Sequence, residues 1–259
     1  MTKKIVLFVF AMVLFLPLSA TNFVMGNICY EIVDFQTARV VLCQTLADTV
    51  LIPESVEYGG TSYTVTAISS HAMQGCTWAK VVRIPASCTN VGASAFVGCP
   101  LMEKILVDSS NMVYCDIQGI LFSHDKTTLL CYPSGRNDSI CHIPIGVTTI
   151  GDQAFFGCRK LQEIVMPSSL SLIGYAAFAG CRMLSTVRLP ESVTAIGRYA
   201  FYDCSRLMTI EVDTSHPLTL EAETFGYETI RDGHVLLRER SQEMKKKFQK
   251  CGFTHFEYR

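Results

Sequence analysis

Apolar residues recur in this 259-residue chain with a period of 23. Pro144, Val147, Ile150, Gly151, Ala154, Phe155 and Cys158 return as Pro167, Leu170, Ile173, Gly174, Ala177, Phe178 and Cys181. They return again as Pro190, Val193, Ile196, Gly197, Ala200, Phe201 and Cys204. A unit this short cannot enclose a core alone, so it must bury its apolar positions against copies of itself, as a solenoid does. Within a unit, Leu184, Val187 and Leu189 end in period-two alternation, which predicts a short strand with Val187 and Leu189 pointing inward. Pro190 stops it. The β-prone run from Val193 to Gly197 predicts a second short strand, and Tyr199 to Cys204 predicts one helical or 3₁₀ turn burying Ala200, Phe201 and Cys204.

The same phase reaches back through Pro85, Gly92, Phe96 and Cys99 to Pro53, Ile68, Met73 and Cys76, giving five units. Extra residues around Glu57 to Tyr63, with Gly59 and Gly60 at their centre, predict a small hairpin. A larger break runs from 108 to 142, where Ile117 to Phe122 and Thr128 to Tyr132 predict a β-hairpin insertion. The expected organisation is a signal peptide over 1–26, a hairpin cap over 27–52, two repeats over 53–107, the insertion over 108–142, three repeats over 143–212, and a degenerate repeat with a helix and strand cap over 213–259. Cys29 to Ile32 and Arg39 to Cys43 form the front hairpin about Gln36. Ser241 to Lys250 is the terminal helix, Gly252 its stop, and Phe253 to Tyr258 the final strand.

The opening Met1-Thr2-Lys3-Lys4, an apolar run from Ile5 to Leu16, and Pro17-Leu18-Ser19-Ala20 have the form of a secretory signal, with cleavage after Ala20 or Gly26. The run is too short for a membrane span, which needs about 20 apolar residues, and no second span follows. An exported protein is expected, whether periplasmic, cell-surface or secreted. Basic residues number 22 and acidic ones 23. Losing Lys3 and Lys4 makes the rest slightly acidic, and without a basic stripe nucleic acid is not an expected partner. Lys245, Lys246, Lys247 and Lys250 read as the solvated face of the terminal helix.

Twelve cysteines in an exported chain ordinarily suggest disulfides. Five of them, Cys76, Cys99, Cys158, Cys181 and Cys204, share one repeat position. Their side chains point the same way, which suits a buried reduced ladder better than disulfide geometry. Cys29 and Cys43, opposite each other in the front hairpin, are the one candidate disulfide. Neither a Cys-x-x-Cys pair within the ladder nor a cluster among the six histidines suggests a metal. No nucleophile elbow, phosphate loop or paired-carboxylate arrangement is legible, so no catalytic residue or cofactor is expected.

The pattern from Ile143 to Cys158, with Gly119-Ile120-Leu121-Phe122 and Thr127 to Pro133, resembles the BspA-like leucine-rich repeats of exported proteins of anaerobic bacteria. The resemblance covers nearly all of the chain after the signal. It implies a right-handed α/β leucine-rich-repeat solenoid, export or surface exposure, adhesion or host-protein binding, and no catalytic residues to carry over.

If the main strands form one parallel sheet, its outward row is Val81 and Arg83, Lys104 and Leu106, Glu163 and Val165, Thr186 and Arg188, and Thr209 and Glu211. This row is the first place to expect a ligand, protein or glycan, although it offers no aromatic row for stacking sugars. A second candidate is the hairpin surface of Tyr114, His124, Asp125, Lys126 and Tyr132, because segments that interrupt a scaffold often carry function. A monomeric, non-enzymatic binding module is the leading expectation. A structural role in the envelope is the alternative, and a polymer hydrolase the remote one.

Overall fold

The computed structural model describes residues 22–258 except 75, 214–217, 222 and 239–240. The expected signal segment up to Thr21, with its Ala20 boundary, lies outside the described residues. The rest is a β-solenoid with little helix, so the expected α/β class is corrected: the described helices are Tyr227–Asp232 and Gln242–Lys250, both near the C-terminal end.

Two parallel ladders run through the later coils. One stacks Ile140–His142, Glu163–Val165, Thr186–Leu189, Thr209–Val212, His234–Leu237 and His255–Tyr258. The other starts at Thr128–Cys131 and continues through Thr149–Ile150, Leu172–Ile173, Ala195–Ile196 and Thr219–Leu220. Register keeps repeat positions in line: Thr186 faces Thr209, Val187 faces Ile210, and Arg188 faces Glu211. Ile164, Val187 and Ile210 are therefore buried, while their strand neighbours face outward.

The third side of each coil, where one helical or 3₁₀ turn is expected, holds no continuous helix. It is a run of i to i+3 turns, such as Ala154 N–H to Gly151 O and Cys158 N–H to Phe155 O, both 3.2 Å. A helix cannot propagate there because the residue before the repeat alanine is left-handed, with φ of 57° at Gln153, 49° at Ala176 and 58° at Tyr199. That kink aims alternate amides at the next coil, where Gln153, Phe155 and Gly157 donate to Tyr175, Ala177 and Ala179. The repeat glycine answers a different need. A Cβ at Gly197 would lie 2.8 Å from the backbone of Gly174 and Tyr175, so the coils meet too closely for any side chain there.

Burial concentrates in a column of rings. Tyr132, Phe155, Phe178 and Phe201 stack at centroid spacings of 4.9, 4.9 and 5.1 Å, and Phe225 continues the column at 5.5 Å. Phe253 ends it edge-on at 5.2 Å, with Phe248 of the last helix packed beside it. Ser241 begins that helix by accepting from Met244 N–H, and Gly252 follows it at φ 104°.

In the front half, Thr49–Leu51, Val81–Ile84 and Lys104–Val107 form a separate three-stranded parallel sheet. The expected single sheet is thus two sheets. Asn22–Met25, Ile28–Ile32, Thr37–Cys43, Thr61–Ile68, Ser55–Tyr58 and Asn90–Val91 form a mixed sheet beside it, and the Gly59-Gly60 hairpin is present, both glycines at positive φ. Among the described residues the front sheet already includes Asn22–Met25, ahead of the expected 27, because this strand pairs with Ile28–Ile32 and Phe23 stacks on Tyr30 and Tyr58.

The expected insertion over 108–142 is only partly an insertion. Tyr114–Ile117, Ile120–Ser123 and Thr128–Cys131 form an antiparallel meander, yet the last of these also starts the second parallel ladder. Tyr132, 23 residues before Phe155, takes the ring position of a repeat, and Ile140–His142 opens the first ladder. The segment after the hairpin is therefore another coil, disguised by tyrosine where phenylalanine is usual. Asn111 supports the entry to the meander. Its side chain, 1% exposed, donates to the carbonyls of Pro85 and Cys88 and accepts from the amides of Val113 and Tyr114.

Candidate functional site

The strand row has the orientation expected from its alternation. Arg83, Lys104, Glu163, Val165 and Arg188 are exposed, and Val81, Leu106, Thr186, Thr209 and Glu211 are half-buried. The row is not continuous. Ile105 N–H bonds to Gly119 O of the meander, which separates Val81, Arg83, Lys104 and Leu106 from the other six residues. Within the later segment, Arg188 pairs with Asp213 at 2.7 Å. Three histidines join this face unforeseen: His142 stacks beside Val165, and His234 and His255 extend the Glu163, Thr186 and Thr209 line. His234 Nε2 lies 3.2 Å from Thr209 Oγ1.

The hairpin candidate is largely scaffold. Tyr132 is 4% exposed inside the ring column, and its hydroxyl donates to Asp138 at 2.7 Å. Tyr114 is half-buried, and its hydroxyl accepts from Val91 N–H at 2.9 Å, filling a place that the next strand would otherwise occupy. Only His124, Asp125 and Lys126 form an exposed tip. Asp125 locks that tip by accepting from the Ser123 and Thr127 hydroxyls and the Thr127 amide, and the Ser123 hydrogen bond leads the effects holding its carboxyl below the usual range.

The cysteine ladder does more than fill space. Cys99, Cys181 and Cys204 donate their thiols to the carbonyls of Met73, Phe155 and Phe178 in the preceding coil, at 3.0, 3.1 and 3.2 Å. Burial pushes Cys181 and Cys204 well up and Cys99 up to about 12. Cys29 and Cys43 do not fit a disulfide: Cys29 faces Leu42 and Cys43 faces Ile28, so the thiols point to opposite faces of the hairpin. The native ladder thiols should not react with a soluble disulfide reagent. Because Cys99, Cys88 and Cys141 stay neutral to about 12, 11 and 12, their linkage contribution is complete below pH 9 and is lost as pH rises from there toward 12. Thermal melts between pH 8 and 10.5 should show the midpoint falling, and Cys99→Ala should flatten the fall.

A groove of about 1130 Å³ lies on the turn side of the last coils. It is lined by the rings of Phe156, Tyr175, Tyr199, Tyr202 and Tyr227 together with Glu221, Glu223, Lys247 and Lys250. This cluster escaped the sequence reading because its tyrosines occupy different repeat positions and come together only when the coils stack. Arg198 organises it. Its amide donates to Glu221 at 3.0 Å, its guanidinium pairs with Glu223 at 2.6 Å, and it lies 4.6 Å from the centre of the Tyr199 ring. Hydrogen bonding by Tyr199 and Arg198 holds the Glu223 carboxyl below its usual range.

Residues 53–125 and 131–255 match the family described as BspA type leucine-rich repeat region, in six copies. The chain belongs to this BspA-type leucine-rich repeat family. A leucine-rich repeat protein from Eubacterium ventriosum has a similar structure, with TM-score 0.61 and 22% identity over 81% of this chain and 54% of that one. This chain thus spans about half the length of that protein, and the likeness supports the repeat fold. A leucine-rich cell surface protein from Faecalibacterium prausnitzii is 16% identical over 93% of this chain and 95% of its own, with TM-score 0.47. No curated protein matches the chain. The six BspA-type copies exceed the five legible in the sequence. No described helix of this BspA-type chain is long and apolar enough to cross a membrane.

Proposed function

We propose that this chain is an exported, non-enzymatic binding module that engages a protein partner through its outward strand row. The observation that carries the reading is the register, which lines Glu163, Thr186 and Thr209 beside Val165, Arg188 and Glu211 on one face of a rigid ladder. A mixed polar and apolar face of this kind suits a protein surface. Repeat scaffolds commonly bind along such faces.

The carboxylates nearest a possible chemistry are committed to structure, which supports the non-enzymatic reading. Asp116 accepts from Val107 and Gly119 amides, and Asp138 is shared by Tyr132 and Arg136. Export rests on the N-terminal pattern. Since Phe23 packs against Tyr30, cleavage after Ala20 keeps the front sheet whole, whereas cleavage after Gly26 removes its first strand. Mass spectrometry of the exported chain should find Thr21 at its start; a start at Asn27 would overturn this boundary.

Val165, 39% exposed, offers the direct test. Val165→Glu should leave the thermal midpoint within about 2 °C of wild type, as surface substitutions do, and should abolish capture of protein partners. Unchanged capture would remove the row from the account. The envelope-assembly reading draws on the edge strand Thr49–Leu51, where Leu51 is 65% exposed. Light scattering on the chain from Thr21 distinguishes it: a monomer argues against self-assembly.

A further inference from the structure

We propose that the turn-side groove binds a neutral pyranose oligosaccharide, at a site that shares no residue with the strand row. The argument begins with exposure. Tyr175, Tyr202 and Tyr227 are 45, 52 and 69% exposed beside a ring column whose members are almost fully buried. A solenoid coil needs only the buried ring, so the outer tyrosines have no part in closing the core.

Tyr175, Tyr199 and Tyr202 are held in place before any ligand arrives. Tyr199 meets Tyr175 edge-on at 5.9 Å and Tyr202 edge-on at 5.5 Å. Arg198 covers one face of Tyr199 and donates to its hydroxyl at 2.8 Å. The same arginine donates to Glu221 through its amide and to Glu223 through its guanidinium, and side chains fixed in this way lose little freedom on binding.

The chemistry selects the occupant. Aromatic faces are electron-rich and take the C–H face of a sugar ring, while tyrosine hydroxyls, carboxylates and ammonium groups can donate to or accept from its hydroxyls. Glu221 and Glu223 line the groove together with Lys247 and Lys250 and give it no single sign, so neither a polyanion nor a polycation is favoured along it. An apolar peptide face would strip water from Glu221 and Glu223 without replacing their hydrogen bonds. A neutral saccharide satisfies rings and charges together. Tyr175 and Tyr199 come from successive coils, whose rise follows the strand spacing of about 4.8 Å, close to the length of one pyranose unit.

Isothermal titration of the chain from Thr21 with cellohexaose, mannohexaose and chitohexaose, and with a proline-rich decapeptide, tests the assignment. At least one hexasaccharide should bind saturably. Tyr202→Ala and Tyr227→Ala should each weaken it about tenfold with the thermal midpoint preserved, and Val165→Glu should leave it unchanged. Silence from all three saccharides, binding that withstands both tyrosine variants, or binding of the decapeptide in their place would overturn the proposal. Loss of saccharide binding in Val165→Glu would contradict the independence of the two surfaces.

Discussion

Phe178→Ala is expected to remove about 3–5 kcal/mol of stability. That loss should lower the thermal midpoint by roughly 10 °C in a chain of this size. The ring is fully buried and lies between Phe155 at 4.9 Å and Phe201 at 5.1 Å, so truncation opens a void shared by three coils. The void cannot collapse easily. The coils on either side are held at fixed rise by strand pairing and by turn-segment bonds such as Phe155 N–H to Ala177 O and Phe178 N–H to Ala200 O. In a stack where each unit contacts only its neighbours, weakening one layer weakens two interfaces. Circular dichroism melts and urea titration check this, with Phe178→Leu expected to recover more than half of the loss. A midpoint within 2 °C of wild type for Phe178→Ala would mean that the ring column does not hold the coils together.

Asn111→Ala should be similarly severe, at about 3 kcal/mol or more, because leaving buried donors and acceptors unmet costs about 1–3 kcal/mol each. All four hydrogen bonds of the amide are lost together, which strands the Pro85 and Cys88 carbonyls and the Val113 and Tyr114 amides. The damage should be local. Hydrogen exchange should accelerate at Val113, Tyr114 and the meander up to Ser123, while amides around Phe201 keep their protection. Uniform acceleration through both halves would show that Asn111 supports the whole stack rather than the entry to the meander. No apolar pattern announces this residue, since asparagine in a loop usually signals a turn.

The repeat was legible because its chemistry is periodic. Alternation at Val187 and Leu189 placed the strand faces, and the five in-phase cysteines marked the buried corner of the coil. Where the structure departed from expectation, the deciding interaction joined residues that no short pattern links. Tyr132 reads in the sequence as a surface tyrosine of a hairpin, whereas its ring stacks on Phe155. The left-handed kink at Gln153, Ala176 and Tyr199 has no side-chain signature, as three unlike residues occupy it, so a helical or 3₁₀ turn is the natural reading of the sequence. The division of the strand row follows from the Gly119 carbonyl reaching Ile105, a contact set by where the meander folds back. The aromatic groove was hidden for the same reason: Tyr175, Tyr202 and Tyr227 are far apart in sequence and adjacent only across stacked coils.

An array of extracellular-matrix proteins and glycans, probed with the chain from Thr21 beside Val165→Glu and Tyr202→Ala, tests the binding account most directly. Wild type should light protein features that Val165→Glu loses and Tyr202→Ala keeps. A blank array, or protein features retained by Val165→Glu, would contradict the claim that this solenoid works by presenting its strand row to a protein partner.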